Sequence, residues 1–319
     1  MKVASTMIAL RRLHRFFGQT RAVDDVSFEV PAGTVFGYIG PNGAGKTTSM
    51  RILATLDLPS YGDAYVAGFS VVNDPDRVRQ RLGYMPDAYG VYHNVNCWEY
   101  LDFFARAYGL AGRERRMAVD RVMEFTGLRP LAEKPMTALS KGMKQRLCLG
   151  RALIHDPDVL VLDEPAAGLD PRARIELRDM IRQLAASGKT VLVSSHILTE
   201  LAEMCDQVGI LERGRLVAVG TVADIQARQQ DNGQTRVSTV RVRAAGNAVG
   251  LPDWLAQQPD CRLLAANTQG FTVECPADEN YQAQLLRRMI EAGFLIVEFS
   301  PRTPTLEEVF LQATRGEVQ

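Results

Sequence analysis

The chain has 319 residues, with 37 Lys+Arg against 37 Asp+Glu, a formal net charge of zero, 46% hydrophobic and 23% charged residues. At roughly 150 residues per domain this length gives about two domains, and the composition excludes a disordered chain, a collagen-like repeat and a basic nucleic-acid coat. No uncharged apolar run approaches the roughly 18 residues that span a bilayer, so the chain alone is not expected to form a membrane pore.

The opening MKVASTMIALRRLHR is interrupted early by Arg11 and Arg12 and has no small-residue cleavage site, so no signal peptide is expected. Five cysteines (Cys97, Cys148, Cys205, Cys261 and Cys275) are scattered without a CxxC. They point to reduced core residues of a cytoplasmic protein rather than disulfides or zinc ligands. In chain order, STMIALRRLHRFFG and Val26–Val30 predict strands, followed by a turn at Pro31-Ala32-Gly33. Thr34–Ile39 reads as a buried strand, and from Lys46 the pattern turns helical, with Met50, Ile52 and Leu53 placed to pack on a sheet. Cys97 to Leu139 is expected to be helical, with glycines closing its segments. Alternation then returns: strand Val159–Leu162, helix Pro171–Ala186, strand Thr190–Ser194 and helix Ile197–Met204, the order of a mostly parallel sheet. Arg228–Thr235 is polar and fits a linker. Beyond it, Val237–Arg243, Leu251–Gln258, Cys261–Ala266, Gly270–Cys275, Glu279–Ala292 and Leu295–Ser300 give a β-α-β-β-α-β order, that of a ferredoxin-like sandwich. A last helix is expected over Thr305–Gln312.

Two motifs carry chemistry. GPNGAGKT, Gly40 to Thr47, fulfils G-x-x-x-x-G-K-[ST] between a predicted strand and a predicted helix. Glycines let backbone N–H groups curl around phosphate oxygens, and the helix N-terminus adds partial positive charge. In such a loop Gly40, Pro41, Asn42, Gly43, Ala44, Gly45, Lys46, Thr47 and Thr48 hold the nucleotide, Lys46 reaches the β- and γ-phosphates, and the Thr47 hydroxyl ligates magnesium. VLVLDEP, Val159 to Pro165, is an apolar strand ending in two carboxylates. After a P-loop, Asp163 reads as the aspartate serving magnesium, and Glu164 stands at the strand's C-terminal end, placed to polarise an attacking water.

LSKGMKQR, Leu139 to Arg146, resembles the signature sequence of ATP-binding-cassette (ABC) ATPases, lying after a helical insertion and before the carboxylate strand. AAGLDP, Ala166 to Pro171, resembles that family's D-loop, and VLVSSH, ending at His196, its switch-histidine strand. Ordered matches run from Thr6 to about Thr221. The resemblance implies an α/β fold: a P-loop NTPase core of ABC type with an antiparallel β subdomain and a helical insertion, plus a small C-terminal α+β, ferredoxin-like domain. The expected domains are a cassette over residues 1–225, its helical subdomain about 97–139, a linker at 226–235 and an accessory domain at 236–319.

The resemblance further implies a homodimer closing head to tail around two ATP with Mg2+. Ser140, Lys141, Gly142 and Met143 would face the nucleotide of the opposite subunit, and Asp170 would communicate across the interface. His196 would hydrogen-bond the γ-phosphate and act with Glu164 as the catalytic pair. Phe17 matches the aromatic that stacks on adenine, with adjacent Phe16 as the alternative. Two departures stand out. Asp87, ending LGYMPD, replaces a glutamine that contacts magnesium: its carboxylate can serve that cation but cannot donate a hydrogen bond to water. Lys141 and Met143 replace the usual glycine and glutamine, a mark of an exporter subgroup.

The aromatics Tyr89, Tyr92, Trp98, Tyr100, Phe103, Phe104 and Tyr108 gather around the helical insertion. Most are expected in the subdomain core, with Tyr89 or Tyr92 as anchors for a helix of a membrane subunit. The tail resembles the C-terminal extension of exporter ATPases, serving dimer support, regulation or stability alone. From Gln226 onward it has nine Arg and eleven acidic residues, no groove for nucleic acid. The reading is thus an ATP-hydrolysing subunit of an ABC exporter, driving a separately encoded transmembrane permease from the cytoplasmic face of the membrane. The alternatives are a soluble ABC-type ATPase acting on ribosomes or nucleic acid, and a nucleotide-dependent regulatory switch.

Overall fold

Two long strands open the chain, β1 (Thr6–Phe17) and β2 (Thr20–Pro31), paired antiparallel across a turn at Gly18. Their register slips near Arg12 and Asp25, which sit at φ of 45° and 59°. The bulges break the period-two pattern, which is why only the Val26–Val30 stretch of β2 is visible as alternation. With β4 (Tyr61–Val66) and β5 (Phe69–Ser70) they form a sheet of order β2-β1-β4-β5. The computed structural model describes residues 5–88, 90, 92–195, 204–221, 223–225, 237–245, 250–267 and 270–302. Tyr89, His196, all but the last residue of the expected helix Ile197–Met204, the expected linker at Arg228–Thr235 and the expected helix Thr305–Gln312 lie outside these residues.

The chain divides into two compact units, Met1–Val222 and Ala223–Gln319. In the first, β3 (Val35–Ile39), β6 (Leu82–Met85), β7 (Val159–Leu162), β8 (Thr190–Ser195) and β9 (Gln207–Glu212) run parallel. The strand β10 (Arg215–Gly220) closes the edge antiparallel, giving the order β10-β9-β3-β8-β7-β6. Every residue of β3, β7 and β8 is buried, as strands covered on both faces require. Helices α1 (Lys46–Leu53), α2 (Pro75–Arg81), α5 (Lys141–Leu153) and α6 (Pro171–Ala186) connect these strands. One core serves both sheets: Phe28 of β2 stacks on Phe36 of β3 at 4.9 Å, within a cluster that includes Ile8, Leu10, Met50 and Val161.

The helical insertion contains α3 (Cys97–Ala107) and α4 (Gly112–Phe125). Asn96 starts α3 with a capping box: its side chain accepts from Glu99 N–H at 2.8 Å, and the Glu99 carboxylate accepts from Asn96 N–H at 2.9 Å. Buried Asp102 of α3 pairs with Arg106 and with Arg115 of α4, each at 2.8 Å, tying the two helices together. Two single 3-10 turns, Arg129–Leu131 and Met136–Ala138, then lead to α5.

The second unit runs β11 (Val237–Ala244), α7 (Leu251–Ala256), β12 (Arg262–Asn267), β13 (Gly270–Pro276), α8 (Glu279–Glu291) and β14 (Ile296–Arg302). The sheet order is β12-β13-β11-β14 with every pair antiparallel, the ferredoxin-like arrangement that the element order predicts. Val240, Val242, Val273 and Cys275 face Leu251, Leu255, Leu285 and Met289 of its two helices.

Candidate nucleotide-binding site

The loop Gly40–Gly45 joins β3 to α1 at the C-terminal edge of the parallel sheet, where open α/β folds place their ligands. Gly43 and Gly45 sit at φ of 80° and 103°, a region that side chains disfavour. A Cβ on Gly40 would collide with the Leu211 carbonyl, and one on Gly45 with the Ala22 carbonyl. The loop is held from outside as well. Gly214 N–H, in the β9–β10 turn, donates to Ala44 O at 2.9 Å, while Gly214 O accepts from Asp24 N–H at 2.7 Å. The adjacent Arg215 pairs with Asp24 at 2.7 Å. This brace was not visible in the sequence.

Lys46 is 5% exposed; its Nζ donates to Gly40 O at 2.6 Å and Pro41 O at 3.2 Å, and lies 3.5 Å from Glu164 Oε1. The first turn of α1 has no acidic residue, so the amides and dipole at its start are uncompensated and suit an anion. Thr47 is exposed and Thr48 half-buried; Pro41, Asn42 and Gly43 are exposed, while Ala44 is buried.

Asp163 follows β7 and is 1% exposed. Burial raises its pKa above the usual carboxylate value, the Ser194 and Thr47 hydroxyls pull it back, and the charges of Asp87 and Glu164 raise it further. Its Oδ1 accepts from Ser194 Oγ at 2.7 Å, and its buried Oδ2 has no hydrogen-bond partner among the described residues. Glu164 has φ 47°, left-handed backbone for a non-glycine residue, and its N–H donates to Ser194 Oγ at 2.9 Å. Asp87 is exposed, two residues beyond β6, and the pairing Met85↔Leu162 puts it at the same sheet edge as Asp163. An orphaned, buried carboxylate oxygen, a neighbouring hydroxyl and a second carboxylate form a hard oxygen donor set, which fits Mg2+.

Ser194 lies inside VLVSSH without a role of its own there, yet it joins the two carboxylate residues. The signal was present: parallel pairing aligns Val161 with Leu192 and Leu162 with Val193, so one further step sets Asp163 beside Ser194. Two apolar strands that both turn polar at that step predict a hydrogen-bonded pair.

Phe17 is 50% exposed and carries the Arg15 guanidinium 4.4 Å from its ring centroid; Arg15 is itself anchored on Asp57 at 2.8 Å. Phe16 is half-buried, its ring in contact with His14, Tyr61 and Arg21. The signature residues lie apart from the loop in their contacts. Ser140 caps α5, its Oγ accepting from Met143 N–H at 3.3 Å. Lys141 Nζ lies over Gly168, so that a Cβ there would strike it, and Gly142 packs toward Ala173 of α6. Asp170 caps α6 by accepting from Ala173 N–H at 2.9 Å. Arg146 and Glu176 form an ion pair joining α5 to α6. His196 lies outside the described residues.

A phosphate-cradling loop, a buried lysine and adjacent carboxylates at one sheet edge, with a helical insertion and an antiparallel subdomain, define a P-loop nucleotide-binding cassette. Residues 23–167 match the ABC transporter family, and residues 220–314 match the C-terminal domain of the DrrA1-3-like ATP-binding proteins. The chain belongs to the ABC transporter family. It is 35% identical over 318 residues to the daunorubicin resistance ATP-binding protein DrrA3 of Streptomyces coeruleorubidus, covering 98% of this chain and 97% of that protein. It is 39% identical over 229 residues to the probable multidrug ABC transporter ATP-binding protein YbhF of Escherichia coli, covering 72% of this chain; the chain spans 39% of that relative's length. A solved ATP-binding subunit of an ABC transporter superposes with a TM-score of 0.65 at 30% identity, over 72% of this chain and 95% of the other. Membership makes the chain an ABC-type ATPase, in a family whose ATP hydrolysis is coupled to transport.

Proposed function

We propose that the chain binds ATP with Mg2+ and hydrolyses it as the motor subunit of an exporter, working as a homodimer on a separately encoded transmembrane permease at the cytoplasmic face of the membrane. The single observation that carries this reading is the meeting of Lys46, Asp163 and Glu164 at one sheet edge, with Lys46 and Glu164 3.5 Å apart. Lys46 and the amides at the start of α1 hold the β- and γ-phosphates. Thr47, Asp163 and Asp87 hold the metal, which neutralises phosphate charge when bound. Glu164 orients and polarises the attacking water, with His196 assigned to the γ-phosphate. Phe17 rather than Phe16 takes the adenine, because its ring is open and already backed by Arg15.

Ser140–Met143 act on the nucleotide of a second copy, with Ser140 and the start of α5 offering N–H groups to an anion. Their contacts to Gly168 and Ala173 join the signature to the D-loop and to Asp170, a route by which one site senses the other. The export direction is supported by relatives named for daunorubicin resistance and multidrug transport, and by the DrrA-like C-terminal match. No helix among the described residues is long and apolar enough to cross a membrane. Action on ribosomes or nucleic acid is not favoured, given the family match and the net acidic tail. The complete pair of motifs likewise favours turnover over a silent switch. The test is Mg2+-dependent phosphate release by the purified chain, together with the membrane protein that co-purifies with it. Release of phosphate and recovery of a polytopic permease are expected; a ribosome or nucleic acid in that fraction contradicts the exporter role.

A further inference from the structure

Ser194 is fully buried, and its hydroxyl makes two directed hydrogen bonds. It donates to Asp163 Oδ1 at 2.7 Å and accepts the Glu164 N–H at 2.9 Å. The polarity is fixed by the partners: a backbone N–H can only donate, so the serine proton is left for the carboxylate. From this chain, Glu164 N–H to Ser194 Oγ–H to Asp163 Oδ1, we infer that Ser194 is a positioning residue for hydrolysis, setting the metal-facing carboxylate and the water-facing carboxylate with one hydroxyl.

Each bond has a distinct consequence. Donation to Oδ1 fixes the carboxyl plane and leaves Oδ2, buried and without a hydrogen-bond partner among the described residues, as the oxygen available to a metal. Acceptance from the Glu164 N–H anchors a residue at φ 47°, where the backbone is held only by its surroundings. That turn aims the Glu164 side chain at Lys46, 3.5 Å away. Without the hydroxyl, a part-buried N–H and a buried carboxylate oxygen lose this partner together, and the strained residue loses its anchor. Ser194 sits on β8, held by parallel pairing to β7 on one side and β3 on the other, so the hydroxyl is fixed by two neighbouring strands. Fully buried, it acts through its two neighbours. Partners of this kind, one bond removed from a metal ligand, are worth about ten- to a hundredfold in metal affinity or activity.

The inference rests on the ATPase reading of Asp163 and Glu164, and the experiment separates the two. Ser194→Ala, Ser194→Thr and Glu164→Gln are made in the full chain. Four quantities are measured: steady-state kcat and KM for ATP, affinity for a fluorescent ATP analogue without metal, Mn2+ affinity with a non-hydrolysable ATP analogue by electron paramagnetic resonance of free Mn2+, and the melting temperature. Ser194→Ala is expected to lower kcat and Mn2+ affinity by at least about tenfold, with metal-free nucleotide affinity within about threefold of wild type. Ser194→Thr, which keeps the hydroxyl, is expected to recover both. Wild-type kcat and Mn2+ affinity in Ser194→Ala, with Glu164→Gln inactive, overturns the role of Ser194 and leaves the ATPase reading standing. Equal loss of metal-free nucleotide binding in Ser194→Ala and Ser194→Thr reduces Ser194 to packing and overturns it as well. Wild-type turnover in Glu164→Gln removes the underlying reading, and this role with it.

Discussion

Lys46 Nζ stands 3.5 Å from Glu164 Oε1, both side chains largely withdrawn from solvent. The pair links the phosphate loop to the carboxylate strand and holds Lys46 where its ammonium also reaches the Gly40 carbonyl. Lys46→Ala removes a buried cation shared by Gly40 O, Pro41 O and Glu164, so the loop loses both its phosphate contact and an internal tie. ATP affinity is expected to fall by at least about tenfold, the equivalent of 1.4 kcal/mol, and turnover to disappear. Equilibrium binding of a fluorescent ATP analogue and a phosphate-release assay check this; retained turnover removes the phosphate-loop assignment.

Asp163 carries a stability cost that follows from its burial. Its pKa is raised in the fold, so the fold favours the protonated form. That stabilisation is present below the unfolded pKa and is lost as pH rises through the raised folded value. Asp163→Asn abolishes the loss. Without metal or nucleotide at neutral pH, the Asn variant should melt above wild type, with the gap closing as pH is lowered. ATP hydrolysis should be lost in the same variant. A wild-type melting temperature equal to or above that of Asp163→Asn at neutral pH contradicts the burial argument.

Phe17 and Phe16 separate binding from packing. Phe17→Ala should weaken ATP binding by roughly 1–3 kcal/mol, the usual worth of a base–aromatic stack, while leaving the melting temperature near wild type. Phe16→Ala should do the reverse, because half-buried Phe16 packs its ring against His14, Tyr61 and Arg21. Titration with ATP and thermal melts on the two variants decide; the opposite pattern assigns the adenine to Phe16.

His155 makes the first unit sensitive to acid. It stacks on Tyr108 at 3.8 Å, its Nε2 lies 3.2 Å from Leu82 O, and burial pushes its pKa down to about 4. A depressed histidine is neutral in the fold, so its contribution is complete above the unfolded value near 6.5 and is lost as pH falls toward about 4. The loss by pH 4 is about 3 kcal/mol, at 1.36 kcal/mol per pKa unit. His155→Phe keeps a ring on Tyr108 and removes the titration. Its denaturant stability should fall less between pH 7 and pH 4 than that of wild type. Parallel curves for the two proteins contradict the assignment.

The phosphate loop, Val159–Leu162 and Pro171–Ala186 were legible because their residues are matched to their immediate neighbours: glycines at positive φ, a fully buried apolar run, and a helix with proline in its first turn. The β4–β5 hairpin was not. Gly62 sits under the Arg11 and Arg12 carbonyls, and the polar edge residues of YGDAYV hide the strand. The four-residue β6 is too short to show a period. The brace through Gly214 and the Ser194 bridge depend on backbone pairing between segments 30 to 191 residues apart, as in Ser194 with Glu164 and Arg215 with Asp24. Residue types announce such contacts only once the register of the sheet is known. In the second unit the element order alone was sufficient, since alternating apolar residues of β11 and β13 face the helices.

The central claim is that Glu164, set beside Lys46 and next to Asp163, drives ATP hydrolysis. The most direct measurement is the steady-state ATPase rate of Glu164→Gln beside wild type, with the oligomeric state of each in ATP followed by size-exclusion chromatography. A rate at least about a hundredfold lower is expected, the usual worth of a general base, with ATP still bound and a dimer retained. Hydrolysis at the wild-type rate contradicts it.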